Sequence, residues 1–548
     1  MTRDKPPPTA GTNRAPKAPA AATPVIVMAK PATPAEFVPP DWTPVAVPTT
    51  KVSMPRIPVV KSAAAQRGEP SAIPPRRGAG HASRMKALKL PRLLMPTSMP
   101  SVVLPGIPSD FASQTAALVQ QFGITERLPT AQLRALQMLQ LAALLEHAWA
   151  HAPLWHARLA DAGWRPSQPV DLELLRRLPI LTRAEIQEHG AALRTKQVPQ
   201  GFGSEHHFRT SGSTGRPVEV YRNELNQEIY GAQTFRDHLW HGRDTTGKLA
   251  VLRTHRADKT LPDWGQVLRE LTIDGSGPAV IRGSDGKEFR SHLDWLVAER
   301  PDYLNINPSL ALALARLHLR EGYPRLAMHQ ILSVGGTVTD EARALCRDAW
   351  GAEFTDRYSC EEIGYLAFQC PLHTHYHEAE TVILEIVDAA GRPCAAGQTG
   401  RVVVTALLSF AMPLIRYDLG DMAVPGDACD CGRGLPVVAR VMGRQSNFAV
   451  LPTGSWRAGL LQAKDWTDVA PVLGFRVTQT ALDTLEAELV LARPLSEPDV
   501  AKTTAMLRAF FSYDFAIIVK QVEEIAWGAT DKRDSFVRLP GVGGDAPH

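Results

Sequence analysis

The sequence predicts an α/β chain in three parts: a large unit built on βαβ crossovers, a β-rich subdomain closing it, and a small mobile α+β unit at the C-terminus. Three observations predict this. Helix-period and strand-period segments alternate between 224 and 358, the signature of a mainly parallel sheet. From 381 the texture turns β-rich. Beyond "GRQSN" (443–447) a short mixed segment of roughly a hundred residues follows, the size of a small domain.

The elements follow in order. Residues 1–105 read as a disordered, basic, Pro/Ala-rich tail. The first hundred residues hold 20 of the 45 prolines and 15 Lys+Arg against 4 Asp+Glu, too little apolar surface to offset ordering entropy. The remainder carries 45 Lys+Arg against 52 Asp+Glu, so the chain's net +4 arises in the tail. Met85 is an alternative reading of the start. The large unit is assigned to 106–446. Within it 131–163 reads as one or two amphipathic helices, and "LPILTRAEIQEHG" as a turn and a capped helix. Helices at 224–240, 288–299, 309–321 and 340–350 alternate with strands at "KLAVLR", "DYLNI", "HQILSVGG" and "EFTDRY". "TVILEIVD" and "GRVVVTAL" open the β-rich subdomain, placed at about 378–446. The unit 447–548 has strands near 474–480, 485–491 and 515–520 and a helix at 497–511.

Composition excludes some classes. No apolar run reaches the roughly 18 residues that span a bilayer. "MTRDKPPPTAG" lacks the apolar core of a secretory signal. Six cysteines in 548 residues are no disulfide scaffold. A cytoplasmic protein is expected. The acidic folded part argues against nucleic acid as a partner.

The chemistry begins at "RTSGSTGRPVEV", 209–220. Thr210, Ser211, Gly212, Ser213, Thr214 and Gly215 bare backbone N–H groups and hydroxyls, which suits a phosphate chain. The stretch is neither a Walker A loop nor a dinucleotide fingerprint. A second group of residues has metal-binding character: Cys370, His373, His375 and His377 in "CPLHTHYH", and Cys429 and Cys431 in "CDC". Thiolates with imidazole suit tetrahedral Zn²⁺.

"TSGSTGRP", "LSVGGT", "DRYSCEEIG", "PLIRYDLGD", "RVMGRQSN" and "TDKRDSFVR" occur in that order. In order and spacing, over about 130–540, the chain resembles the adenylate-forming superfamily. Within it the chain looks most like the phenylacetate–CoA ligase and CapK-like branch, which also holds synthetases that adenylylate a deazaflavin coenzyme. The resemblance implies ATP-dependent activation of a carboxylic acid as acyl-adenylate, then transfer to the thiol of CoA or of a carrier-protein pantetheine. The alternatives are an adenylyltransferase acting on a phenol or other hydroxyl, and a non-catalytic scaffold.

The resemblance implies roles by position. The loop Thr210–Gly215 would close on the ATP phosphates, with Thr214 a catalytic donor. Gly335 and Gly336 would lie flat against adenine and Tyr358 would stack on it. Glu362 would hold Mg²⁺, with Glu361 beside it as a rival. Asp421 would accept both ribose hydroxyls, Arg444 would sit beside ribose and phosphates, and Asn447 would be the hinge. Lys532 would be the catalytic lysine of adenylation. Val218 stands where many members carry a lysine, so phosphate charge must be met elsewhere. The same resemblance selects Cys370, His377, Cys429 and Cys431 as a structural Zn²⁺ set. Trp240, Trp264 and Tyr303 fall where an acyl pocket would be lined. The acid itself and the oligomeric state, monomer or homodimer, stay open.

Overall fold

The computed structural model of the chain describes residues 109–209, 217–254, 256–272, 275–284, 289–527 and 533–543. The expected tail, the phosphate loop 210–216 and Lys532 lie outside the described residues.

Helices open the described chain. Asp110–Thr125, an element the sequence did not delimit, is capped by the Ser109 hydroxyl, which accepts from the Ala112 amide at 3.1 Å. The apolar run 131–163 becomes two helices, Thr130–His151 and Pro153–Asp161. They part at Ala152, because Pro153 suits only a first turn. Arg183–Leu193 begins with the capping box of Thr182 and Glu185.

A six-stranded sheet then forms from Leu249–Thr254, Lys259–Leu261, Ala279–Ser284, Tyr303–Ile306, Gln330–Ser333 and Glu353–Thr355. All its pairings are parallel except that of the edge strand Lys259–Leu261. The crossover helices Phe289–Glu299, Pro308–Glu321 and Asp340–Trp350 bury Leu293, Leu314, Cys346 and Trp350 against Leu304 and Ile331. Parallel strands need such crossovers.

"EFTDRY" reads as one strand and is two. Glu353–Thr355 completes the parallel sheet, whereas Arg357–Cys360 edges a seven-stranded antiparallel sheet. Asp356 makes the transfer. Its carboxylate accepts from the Ser333 hydroxyl, from Tyr376 at 2.5 Å and from the Arg357 amide at 2.8 Å. A buried carboxylate so engaged fixes the bend. The antiparallel sheet continues through Gly364–Gln369, Tyr376–Glu378, Val437–Arg444, Tyr417–Pro425, Gly400–Ala406 and Val382–Val387.

The C-terminal residues hold a core of their own, including Trp466, Val477, Leu489, Phe511 and Phe536. Four strands, Ala516–Gln521, Thr484–Leu491, Val472–Ala481 and Phe536–Arg538, lie side by side, with the helix Glu497–Phe511 against them. Among the described residues no helix is long and apolar enough to cross a membrane.

Candidate active site

The two sheets meet where the carboxyl ends of the parallel strands emerge, the edge at which open α/β sheets bind ligands. Gly335 follows Gln330–Ser333 with φ +70°, a conformation that favours glycine. The Asn307 amide donates to the Gly335 carbonyl at 3.1 Å and ties this turn to the neighbouring strand end. A Cβ on Gly336 would come 3.1 Å from Asn307 Nδ2 and 3.2 Å from Pro308 Cδ, so the backbone can pass there only as glycine or with a local shift.

Beside that turn stands a closed polar triad. The Tyr358 hydroxyl donates to Asp421 Oδ2 at 2.8 Å, and Arg444 Nε lies 3.2 Å from Asp421 Oδ1. Asp421 and Arg444 are register partners on adjacent strands, and Arg444 Nη1 also donates to the Leu419 carbonyl at 2.7 Å. Burial, then the Asp421 charge, pushes the Tyr358 phenol well above its usual range; the same carboxylate holds Arg444 more firmly protonated.

Glu362 is 5% exposed, whereas Glu361 faces solvent, so the two adjacent carboxylates are not equivalent. The Tyr417 hydroxyl donates to Glu362 Oε1 at 3.4 Å and Arg183 Nη1 lies 3.6 Å from it. The phosphate loop joins the strands Glu205–Arg209 and Glu219–Asn223, whose flanks Arg209 and Glu219 pair in register. Val218 is fully buried in the core. Arg222, on the second strand, stacks over Phe208 at 5.0 Å and donates to the Glu361 carbonyl at 3.3 Å. It was not singled out from sequence.

The Cys/His residues converge about one strand away. Ligand atoms of Cys370, His375, His377 and Cys429 all lie within 4.8 Å of one another. Cys370 Sγ is 3.9 Å from Cys429 Sγ, and Cys431 Sγ is 3.3 Å from His377 Nε2. A tight loop brings them together, with the Cys370 amide donating to the His375 carbonyl at 2.8 Å. Burial lowers His377 to about 4, which keeps its imidazole neutral, the form that ligates metal. His375 Nε2 is buried without a hydrogen-bond partner. Of the set expected from sequence, Cys370, His377 and Cys429 fall in this group, His375 takes the fourth place, and Cys431 adjoins it through His377. His373 instead faces Asp430 at 2.6 Å on the exposed side.

With this geometry in place, the comparisons decide the relationship. No protein-family profile matches the chain. The phenylacetate–coenzyme A ligase of Thermus thermophilus is 26% identical over 344 residues, covering 60% of this chain and 73% of that protein. The Pseudomonas putida phenylacetate–coenzyme A ligase is 24% identical over 351 residues, covering 60% and 75%. These similarities support an adenylate-forming, phenylacetate–CoA ligase-like assignment of the chain. Its fold agrees: a 2-hydroxyisobutyryl-CoA ligase in the postadenylation state superimposes with TM-score 0.60 at 18% identity, over 76% of this chain and 91% of that one.

Within the superfamily frame, Gly335, Gly336, Tyr358, Glu362, Asp421 and Arg444 fall at one edge of the structure, as the motif order implies. Thr210, Ser211, Gly212, Ser213, Thr214, Gly215 and Lys532 lie outside the described residues. The acyl-pocket reading needs correction. Tyr303 pairs with Leu249 at the start of both strands, its hydroxyl accepts from the Asp244 amide, and Trp264 packs edge-on against it. That is the amino edge of the sheet, opposite Gly335. Trp240 lies edge-on to His377 and donates to Glu126. At the carboxyl edge stand Tyr230, stacked on Tyr365 at 4.3 Å, and Arg253 bonded to Asn305. Strand direction separates these sets.

Proposed function

We propose that this protein condenses a carboxylic acid with ATP to an acyl-adenylate and pyrophosphate, then transfers the acyl group to the thiol of CoA or of a carrier-protein pantetheine, releasing AMP. The observation that carries the reading is the Tyr358–Asp421–Arg444 triad beside the buried Glu362. Asp421 Oδ2 accepts one hydrogen bond and Oδ1 faces the Arg444 guanidinium, and a carboxylate has about four acceptor positions. Room thus remains for both hydroxyls of a ribose. Tyr358 supplies the ring face and Gly335–Gly336 the close backbone for adenine.

Glu362 is the residue that would hold Mg²⁺, a hard cation suited to a carboxylate and phosphate oxygens. When bound, the ion offsets charge on the phosphates. Arg183, beside Glu362, and Arg222, bonded to the Glu361 carbonyl, take over the phosphate charge that the buried Val218 leaves unmet. Thr214 and the loop close on the phosphates, and Lys532 meets the carboxylate during adenylation. We assign 447–548 as the small domain that turns about Asn447 between half-reactions, with the large domain at 106–446 and the tail before it.

Cys370, His377, Cys429 and Cys431, with His375 adjoining, fit Zn²⁺ by donor chemistry and by the orphaned His375 nitrogen. Four such ligands close the shell, so the ion would be structural.

The test is pyrophosphate release over a panel of carboxylic acids, with CoA present and absent. Acid-dependent, Mg²⁺-dependent pyrophosphate release with thiol-dependent AMP release is expected. Adenylylation of a hydroxyl acceptor without thiol dependence, or no turnover with any acid, overturns the ligase reading.

A further inference from the structure

Three arginines, Arg243, Arg357 and Arg253, are buried or half-buried about the parallel sheet, and two of them face a carboxylate. Asp237 is the carboxylate that answers two guanidiniums, Arg243 Nη1 at 2.6 Å and Arg357 Nε at 3.7 Å. Asp237 and these two arginines are almost wholly buried. Arg357 Nη1 also donates to the Tyr365 hydroxyl at 3.1 Å. Toward the carboxyl end of Leu249–Thr254 stands the third, Arg253. Its Nε and Nη2 donate to a neutral acceptor, Asn305 Oδ1, at 3.1 and 3.0 Å. Among the described residues it has no ion pair, and the charges and phenols that act on it most strongly are Tyr230, Arg357, Arg256 and Tyr365. Burial makes that charge costly, and depresses the guanidinium accordingly.

Its place relative to the nucleotide residues follows from contacts. Arg222 donates to the Glu361 carbonyl, and a Cβ on Gly364 would touch both Arg222 Nη2 and Tyr230 at 3.5 Å. Tyr230 stacks parallel on Tyr365, and Thr234 Oγ1 lies 3.1 Å from the Tyr365 hydroxyl. The line from Glu362 therefore runs past Arg222 to the stacked tyrosines, and the Tyr230 phenol is in turn an electrostatic neighbour of Arg253. An acid whose carboxyl group is activated near Glu362 extends its far end along that line.

We infer that the acid activated here carries a second anionic group, a distal carboxylate in the simplest case, which pairs with Arg253. The inference rests on the ligase reading above. An unopposed guanidinium in a half-buried site is stabilised by an anion that matches its fork, and a planar carboxylate does so through paired N–H bonds. The tyrosine and threonine hydroxyls then border a polar chain or ring. A purely apolar acyl chain would leave Arg253 desolvated and unpaired, a penalty set against such substrates.

The experiment uses the full chain and matched acids: linear monocarboxylates against the α,ω-dicarboxylates of equal length, and phenylacetate against 4-carboxyphenylacetate. Pyrophosphate release gives kcat/KM for each. The diacid is expected to exceed its monoacid by about 10- to 100-fold, the scale of a hydrogen-bonded charge. Arg253→Met should collapse that ratio at least tenfold, and Arg253→Lys should restore part of it. A wild-type preference for the monoacid overturns the inference while leaving the ligase reading intact, and needs no variant to fold. An equal loss for both acids in Arg253→Met makes the residue merely structural and also overturns it. No turnover of any acid removes the ligase reading and the inference together.

Discussion

The Tyr358–Asp421–Arg444 triad and the Cys/His cluster are built on the same seven-stranded sheet, yet their polar atoms are satisfied in opposite ways. In the triad, Asp421 accepts from Tyr358 and faces Arg444, and Arg444 reaches the Leu419 carbonyl. Every group has a partner from within the chain. In the cluster, thiols and rings meet at 3.3 and 3.9 Å, and His375 Nε2 has none. On the function proposed above, the triad is a preformed cradle that a ligand joins and the cluster a donor set that an ion completes. Removing a triad member should therefore damage binding of nucleotide, and removing a cluster member should damage the fold's local order first.

The largest effect is expected from Asp421→Ala. It removes both proposed ribose acceptor atoms and leaves Arg444, a partly exposed cation, facing no carboxylate. Breaking such a pair is costly because one charge stays behind. Acid-dependent ATP–pyrophosphate exchange should fall about 10²–10³-fold, the scale of one lost preorganised contact, with most of the loss in the KM for ATP. Unaltered exchange would mean that the triad is only a sheet-edge brace. Glu362→Gln comes next. It keeps the side chain's volume and the Tyr417 contact but halves the acceptor character. Exchange should drop about 10²-fold and saturate at higher Mg²⁺, whereas Glu361→Gln, at the exposed neighbour, should move it little.

These expectations separate what the sequence disclosed from what it hid. Tyr358, Glu362, Asp421 and Arg444 were legible because each belongs to a short motif whose chemistry survives out of context. The crossover helices were legible from their 3.6-residue period. Arg222, Arg253 and Tyr230 were not, for they lie in ordinary strand and helix sequence. Their meaning comes from partners far along the chain: Glu361, Asn305 and Tyr365. Trp264 and Tyr303 misled because aromatic composition does not say which edge of a sheet a residue occupies. "EFTDRY" misled because β-propensity does not tell one sheet from the next, and the hand-over depends on the Ser333 and Tyr376 hydroxyls that engage Asp356.

The cluster side of the comparison yields a smaller effect on turnover and a clear one on metal. Purified protein should carry about one Zn²⁺ per chain by elemental analysis. Cys431→Ser and His375→Ala then decide the fourth ligand, because both residues adjoin His377 and Cys429. The true ligand's variant should lose zinc at least tenfold more readily to a chelator and melt a few degrees lower. The other should keep its metal. Full stability and no zinc in the wild type would reduce the cluster to packed thiols and imidazoles.

The smallest effect sharpens the comparison at its edge, where the triad meets the segment carrying Lys532. Asn447 follows Arg444 by three residues, and its amide donates to Asp534 Oδ1 at 3.1 Å. Asp534 lies two residues beyond Lys532. The bond thus holds the proposed hinge against the loop of the proposed catalytic lysine, something the Cys/His cluster has no counterpart for. Asn447→Asp changes one atom type and sets two carboxylates face to face. At a half-exposed site such a contact is repulsive by about 1–4 kcal/mol, and salt weakens it. The pose that brings Lys532 to the acid is then disfavoured, whereas the pose that has released it is not. Acid-dependent exchange should fall about 5- to 10-fold, partly recovering in high salt. Thioester formation from pre-made acyl-adenylate and CoA should hold or rise. An equal loss in both half-reactions would show that Asn447 serves the triad alone, and no loss in either would show that its bond to Asp534 steers nothing.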